Sequence, residues 1–149
     1  MNERAAIGGG GGGAGIVGTQ RLIEMARKMG KANDPIVRQT LAEIYANGAI
    51  ARYTNLRAMA KIKAGQLPGP EMSMGKLSLT NNLRRISDFV SLVLGPRLVA
   101  DSGEWGTFAW SEFVLGQPGM SIAGGTDEIL KNIVGERVLG LPKEPRIDK

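Results

Sequence analysis

Ser121-Ile-Ala-Gly-Gly-Thr-Asp-Glu-Ile-Leu-Lys-Asn-Ile-Val-Gly-Glu-Arg-Val-Leu-Gly-Leu-Pro142 reads as a tight glycine turn opening directly into an amphipathic helix. Gly124 and Gly125 give the turn its backbone freedom. Thr126 suits the N-cap, and the charges of Asp127 and Glu128 complement the positive end of the helix. Ile129, Ile133 and Val134, with Leu130 and Val138, fall at helical spacing and predict an apolar stripe. Pro142 stops the run. A turn of this kind leaves backbone N–H groups free for an anionic ligand. An ordinary capped surface helix satisfies the same pattern.

Working outward, the rest of the chain is also helical in its periodicity. Residues 15–29 carry Ile16, Ile23 and Met25 among good helix formers, and Gly30 supplies a stop. Asp34-Pro35 pairs an N-cap acceptor with a proline suited to the first helical position. Apolar residues then recur from Ile36 to Ile62, predicting one long helix that ends near Gly65. Leu67-Pro-Gly-Pro70 is a linker, a third helix is expected over 71–94, and Gly95-Pro96 breaks it. Residues 97–123 hold both tryptophans and several glycines and read as the least regular part. Four helices with almost no strand signal predict an all-α, up-and-down four-helix bundle, in one domain spanning residues 1–149.

Composition narrows the chemistry. Cysteine and histidine are both absent, which removes disulfides, thiol nucleophiles, the common zinc sites and any His base. Proton transfer is left to a carboxylate, a tyrosine or a lysine. No apolar run is long enough to span a bilayer, and the lack of cysteine fits a cytoplasmic location. The net charge of +5 is dispersed. Its densest spots, Arg27-Lys28 and Arg84-Arg85, lie beside helical apolar positions, so solvated helix faces are expected in preference to a nucleic-acid footprint.

The words Gly-Gly-Thr-Asp-Glu-Ile and Asn-Ile-Val-Gly-Glu-Arg-Val-Leu-Gly-Leu-Pro closely resemble the C-terminal end of acyl-CoA dehydrogenases. The four-helix reading is similar to the C-terminal helical domain of that family. The resemblance covers essentially the whole chain, while the family's N-terminal helical and middle β domains have no counterpart in these 149 residues. The expectation is therefore a domain-sized piece or an unusually short gene product. Family membership would imply FAD, an acyl-CoA substrate, electron-transfer flavoprotein as acceptor, and a homo-oligomer or a hetero-oligomer with other subunits of the family.

The resemblance also implies roles for particular residues. Many family members carry the base that removes the α-proton immediately before the Gly-Thr of this turn; here that position is Gly124. A second group, resembling isovaleryl-CoA and long-chain acyl-CoA dehydrogenases, places the base in a Glu-Arg pair followed by glycines. Glu3-Arg4, leading into Ala-Ala-Ile-Gly-Gly, matches that pattern and makes Glu3 the candidate base. In the family the backbone N–H at the Gly124 position donates to the thioester carbonyl. Thr126, Asp127 and Glu128 map onto the helix start that approaches the flavin, with the carboxylates expected to point away. The family's Arg-x-x-Phe-Gly, which grips a neighbouring subunit's flavin nucleotide, is eroded: Ala26 and Met29 occupy the arginine and phenylalanine positions, and Val37 the glutamine position. Arg27, Arg38 and Gln39 lie one or two positions away. The expected cofactor contacts are thus Thr126, Glu128, Arg27 and Gln39, with no metal. Such departures suit a subgroup in which unlike subunits share active sites. The glycine run at 8–13 conflicts with the helix that family members have there, since six glycines cost about 5 kcal/mol in a helix interior.

Overall fold

The computed structural model describes residues 18–66, 69, 72–104, 108 and 110–143. The described residues are helical without strand: α1 (Thr19–Lys28), α2 (Pro35–Lys63), α3 (Met72–Leu94), a 3-10 turn (Gly95–Leu98), α4 (Ser111–Met120) and α5 (Asp127–Arg137). The all-α expectation therefore holds. The helix count among the described residues is five, because α4 lies in the stretch expected to be irregular.

Local chemistry accounts for the boundaries. α1 closes where Gly30, at φ +68°, lets Lys31 N–H reach back to the Ala26 carbonyl at 2.8 Å. α2 opens on Asp34, whose carboxylate accepts from the N–H groups of Ile36 and Val37 at 2.8 and 3.1 Å, with Pro35 in the first turn. α3 runs into Gly95-Pro96, and the chain tightens there into the 3-10 turn.

Among the described residues α3 is the hub of the packing and touches every other helix. It contributes Leu83, Ile86, Phe89, Val90, Val93 and Leu94 to the core. Leu22, Met25 and Ala26 of α1, Val37 and Ile44 of α2, and Trp110 at the head of α4 complete the cluster. α2 and α3 are antiparallel: Gly48 lies opposite Asn82, and Gly75 lies opposite Asn55. That approach is tight at Gly75, where a Cβ would come within 3.3 Å of the Asn55 side-chain oxygen.

Core burial ends about a third of the way along α2, at Ile44. Beyond Ile44 the large apolar side chains Tyr45, Ile50, Tyr53, Leu56 and Met59 are all more than half exposed. The continuous apolar pattern of this helix thus serves two faces, one packed on α3 and one open. The stripe expected on α5 is likewise only partly used: Leu130 is buried, whereas Ile129 and Val138 are exposed.

α4 forms despite Gly116, Pro118 and Gly119. Trp110 packs edge-on against Phe113 with ring centroids 6.1 Å apart. The Ser111 hydroxyl donates to the Phe108 carbonyl at 2.7 Å. Pro118 falls in the last turn, so it interrupts little of the hydrogen-bond ladder.

Candidate functional site

The link between α4 and α5 is where glycine is required. Gly124 and Gly125 both adopt positive φ, +69° and +105°. The chain reverses there and enters α5 through Thr126, whose hydroxyl oxygen accepts from Ile129 N–H at 3.3 Å. Asp127 N–H closes the turn onto the Ser121 carbonyl at 3.0 Å. The N–H groups of Gly124 and Gly125 take no part in the hydrogen bonds among the described residues. Two donors without a partner among the described residues thus lie at the head of a helix, an arrangement suited to negative charge.

Asp127 is buried and turned toward α3. Its Oδ1 lies 3.1 Å from Lys76 Nζ, and the Thr80 hydroxyl donates to the carboxylate at 3.0 and 3.2 Å. Arg84 Nη2 stands 4.0 Å from Oδ2. The charge of Asp127 is therefore matched from behind and does not face the open side of the turn. Glu128, next along, is exposed. Lys76 and Thr80 escape sequence reading, and Arg84 reads there only as part of a solvated basic spot, although the three recur every four residues along one face of α3. Their partner lies about fifty positions away, and no local pattern announces it.

The other expected contacts lie elsewhere. Arg27 and Arg38 line an open groove of about 470 Å³ between α1 and α2, together with Thr19, Ile23, Leu41 and Tyr45. Gln39 is exposed and lies outside that lining. Beside the groove, Lys31 Nζ donates to the Leu92 carbonyl of α3 at 2.8 Å, while the glycine turn is tied to α3 at Lys76. Sixteen residues of helix separate those two attachment points, about 24 Å at the helical rise. Within one chain the structure brings Gly124, Thr126 and Glu128 together at one end of α3, and sets Arg27 and Gln39 at the other. Glu3 and the glycine run at 8–13 lie outside the described residues.

Comparison with known proteins gives a family match over residues 1–139 to the model described as acyl-CoA dehydrogenase, C-terminal domain. Two curated relatives carry the name acyl-CoA dehydrogenase IpdE1. The Mycobacterium tuberculosis protein is 32% identical over 132 residues, covering 84% of this chain and 32% of that protein. The Mycolicibacterium smegmatis protein is 32% identical over 128 residues, covering 83% of this chain and 30% of that protein. The chain spans about a third of the length of these relatives. No solved structure matches significantly.

Proposed function

This chain belongs to the acyl-CoA dehydrogenase family, and from that premise we propose that it serves as the C-terminal helical part of a flavin-dependent enzyme that introduces an α,β-double bond into an acyl-CoA. The observation carrying this reading is the glycine turn at the head of α5. Its donors, the N–H groups of Gly124 and Gly125, have no partner among the described residues, and its neighbouring carboxylate, Asp127, is neutralised from behind by Lys76.

In this reading the α-proton of the thioester passes to the Glu3 carboxylate. Negative charge then develops on the thioester oxygen, and the Gly124 N–H donates to it, stabilising the charge as it forms. A backbone donor needs no side chain, so glycine at this position removes the family's usual base without removing the donor. FAD, when bound, supplies the acceptor for the β-hydride. The donor set fits that cofactor: Thr126 accepts from Ile129 N–H and keeps its own hydroxyl proton to give, and the α5 N-terminus favours a phosphate. Arg27 and Arg38 offer cationic donors in the α1–α2 groove, with exposed Gln39 beside them. Because these contacts lie at opposite ends of α3, a neighbouring subunit's flavin is the better match for the groove.

The test is anaerobic mixing of the flavin-loaded protein with a panel of straight-chain, branched and ring-bearing acyl-CoA thioesters. Bleaching of the oxidised flavin band by at least one of them is expected. A fully loaded protein that none of them bleaches sinks the reading. The 149-residue chain alone is expected to be inactive, because proton and hydride transfer demand walls on both faces of the flavin.

A second reading, an assembly module that contributes no chemistry, is favoured by the open apolar face of α2. Tyr45, Tyr53, Leu56 and Met59 are exposed along one helix, which matches a surface that another subunit covers. A dimer or tetramer is expected by light scattering across a concentration series, and Tyr53→Lys with Leu56→Lys is expected to dissociate it. A monomer at every concentration counts against this face being an interface. Oligomers that survive the double substitution do so as well.

A further inference from the structure

One side chain fastens the glycine turn to α3. Lys76 Nζ donates to the Gly125 carbonyl at 2.9 Å, to the Ser121 carbonyl at 3.4 Å and to Asp127 Oδ1 at 3.1 Å. An ammonium has three N–H bonds, and each of these finds an acceptor. Ser121 and Gly125 stand on either side of Gly124, so a single cation holds both feet of the turn. In a trans peptide the carbonyl of one residue and the N–H of the next point in opposite directions. Tying the Gly125 carbonyl to Lys76 therefore aims the Thr126 N–H away from α3, and tying Ser121 as well limits how the intervening Gly124 and Gly125 N–H groups can turn. The same cation offsets a carboxylate that would otherwise oppose negative charge developing a few ångströms away.

We propose that Lys76 is a positioning residue for the reaction: it holds the turn at 124–126 against α3 and neutralises Asp127, so that the turn's donors meet developing negative charge without a bare carboxylate beside them. The proposal rests on the reading that this turn receives the thioester oxygen. Lys76 touches neither substrate nor flavin in this scheme and acts through the backbone it holds.

Two variants separate positioning from stability. Lys76→Met removes the cation and leaves Asp127 buried without its closest counter-charge. Lys76→Met/Asp127→Asn removes both charges, so no lone buried carboxylate remains, but the Ser121 and Gly125 carbonyls still lack their donor. In the flavin-loaded protein, with octanoyl-CoA or whichever panel member reduces the wild type, Lys76→Met is expected to lower the melting temperature. It is also expected to slow flavin reduction at saturating substrate by about 10- to 100-fold, the scale of a displaced catalytic donor, with half-saturation little changed. The double variant is expected to regain the melting temperature but not the rate. Recovery of both overturns the proposal, because Lys76 would then serve stability alone. An undiminished rate in Lys76→Met overturns it equally.

Amide exchange in the 149-residue chain gives a readout independent of catalysis. The Asp127 N–H, bonded to the Ser121 carbonyl, is expected to exchange at least ~10-fold faster in both variants through local opening of the turn. Unchanged exchange overturns the proposal whatever the enzyme does. Failure of the functional reading has a different signature, a wild-type flavin that no thioester reduces.

Discussion

Phe89→Ala is expected to lower the unfolding free energy by about 3–5 kcal/mol, the range for truncating a fully buried phenylalanine. Phe89 has no exposed surface and sits on α3, which among the described residues touches every other helix. Its cluster draws side chains from α1, α2, α3 and the head of α4, so a cavity there cannot be closed by shifting a single element. A domain holds only about 5–15 kcal/mol in total, so this one change removes a large share of it. The melting temperature should fall by roughly 10 °C for a chain of this size. Urea titration monitored by helical circular dichroism measures the loss directly. The control is Leu115→Ala, at a position 80% exposed on α4, where the change should stay within about 0.5 kcal/mol. A loss below about 1 kcal/mol at Phe89 would contradict the packing described here.

The second large effect is on chemistry. Under the proposed function, Glu3→Gln in the flavin-loaded protein should slow α-proton abstraction by at least ~100-fold, the scale for deleting a general base. Glutamine is nearly isosteric and cannot take the proton, so flavin content and thioester binding should persist while the chemical step fails. Stopped-flow flavin reduction separates the two. Wild-type turnover in that variant would remove Glu3 from the mechanism and direct attention to a partner subunit's carboxylate. The compensating exchange, Glu3→Gly with Gly124→Glu, should recover part of the rate, because both positions approach the same α-carbon in the proposed site. It carries a structural cost: Gly124 has φ +69°, where a side chain costs roughly 1–2 kcal/mol.

The helix boundaries were legible because capping and breaking are local. Asp34-Pro35, Gly30, Gly95-Pro96 and Thr126 each act within a few residues of themselves, and each appears where its chemistry places it. α4 was not legible. Two glycines and a proline within ten residues argue against a helix, and what overrides them is tertiary packing, with Trp110 in the core cluster and Phe113, Val114 and Met120 packed against it. Burial along α2 was not legible from pattern either. The apolar recurrence of α2 does not distinguish a face covered by α3 from one left open, and Tyr45 and Ile44 stand side by side in sequence with opposite fates. At the candidate site, Thr126 and the two glycines were visible as turn chemistry. Asp127 was read as a partner for the helix dipole, whereas it is committed to Lys76 and Thr80 on another helix. A pairing across that many residues leaves no periodic trace.

The open face of α2 has a colloidal consequence. From Ile44 to Gln66 the chain carries Arg52, Arg57, Lys61 and Lys63 and no acidic residue, on a protein whose net charge is already +5. Two such arms brought together by Tyr53 and Leu56 also bring like charges together. At low ionic strength that repulsion opposes self-association. At about 0.1 M salt the screening length shrinks to roughly 10 Å, and the apolar contact is left to decide. Self-association through this face should therefore tighten as salt is added, whereas pairing with an acidic partner surface should loosen. Ionic strength thus becomes a means of telling a copy of this chain from an unlike subunit.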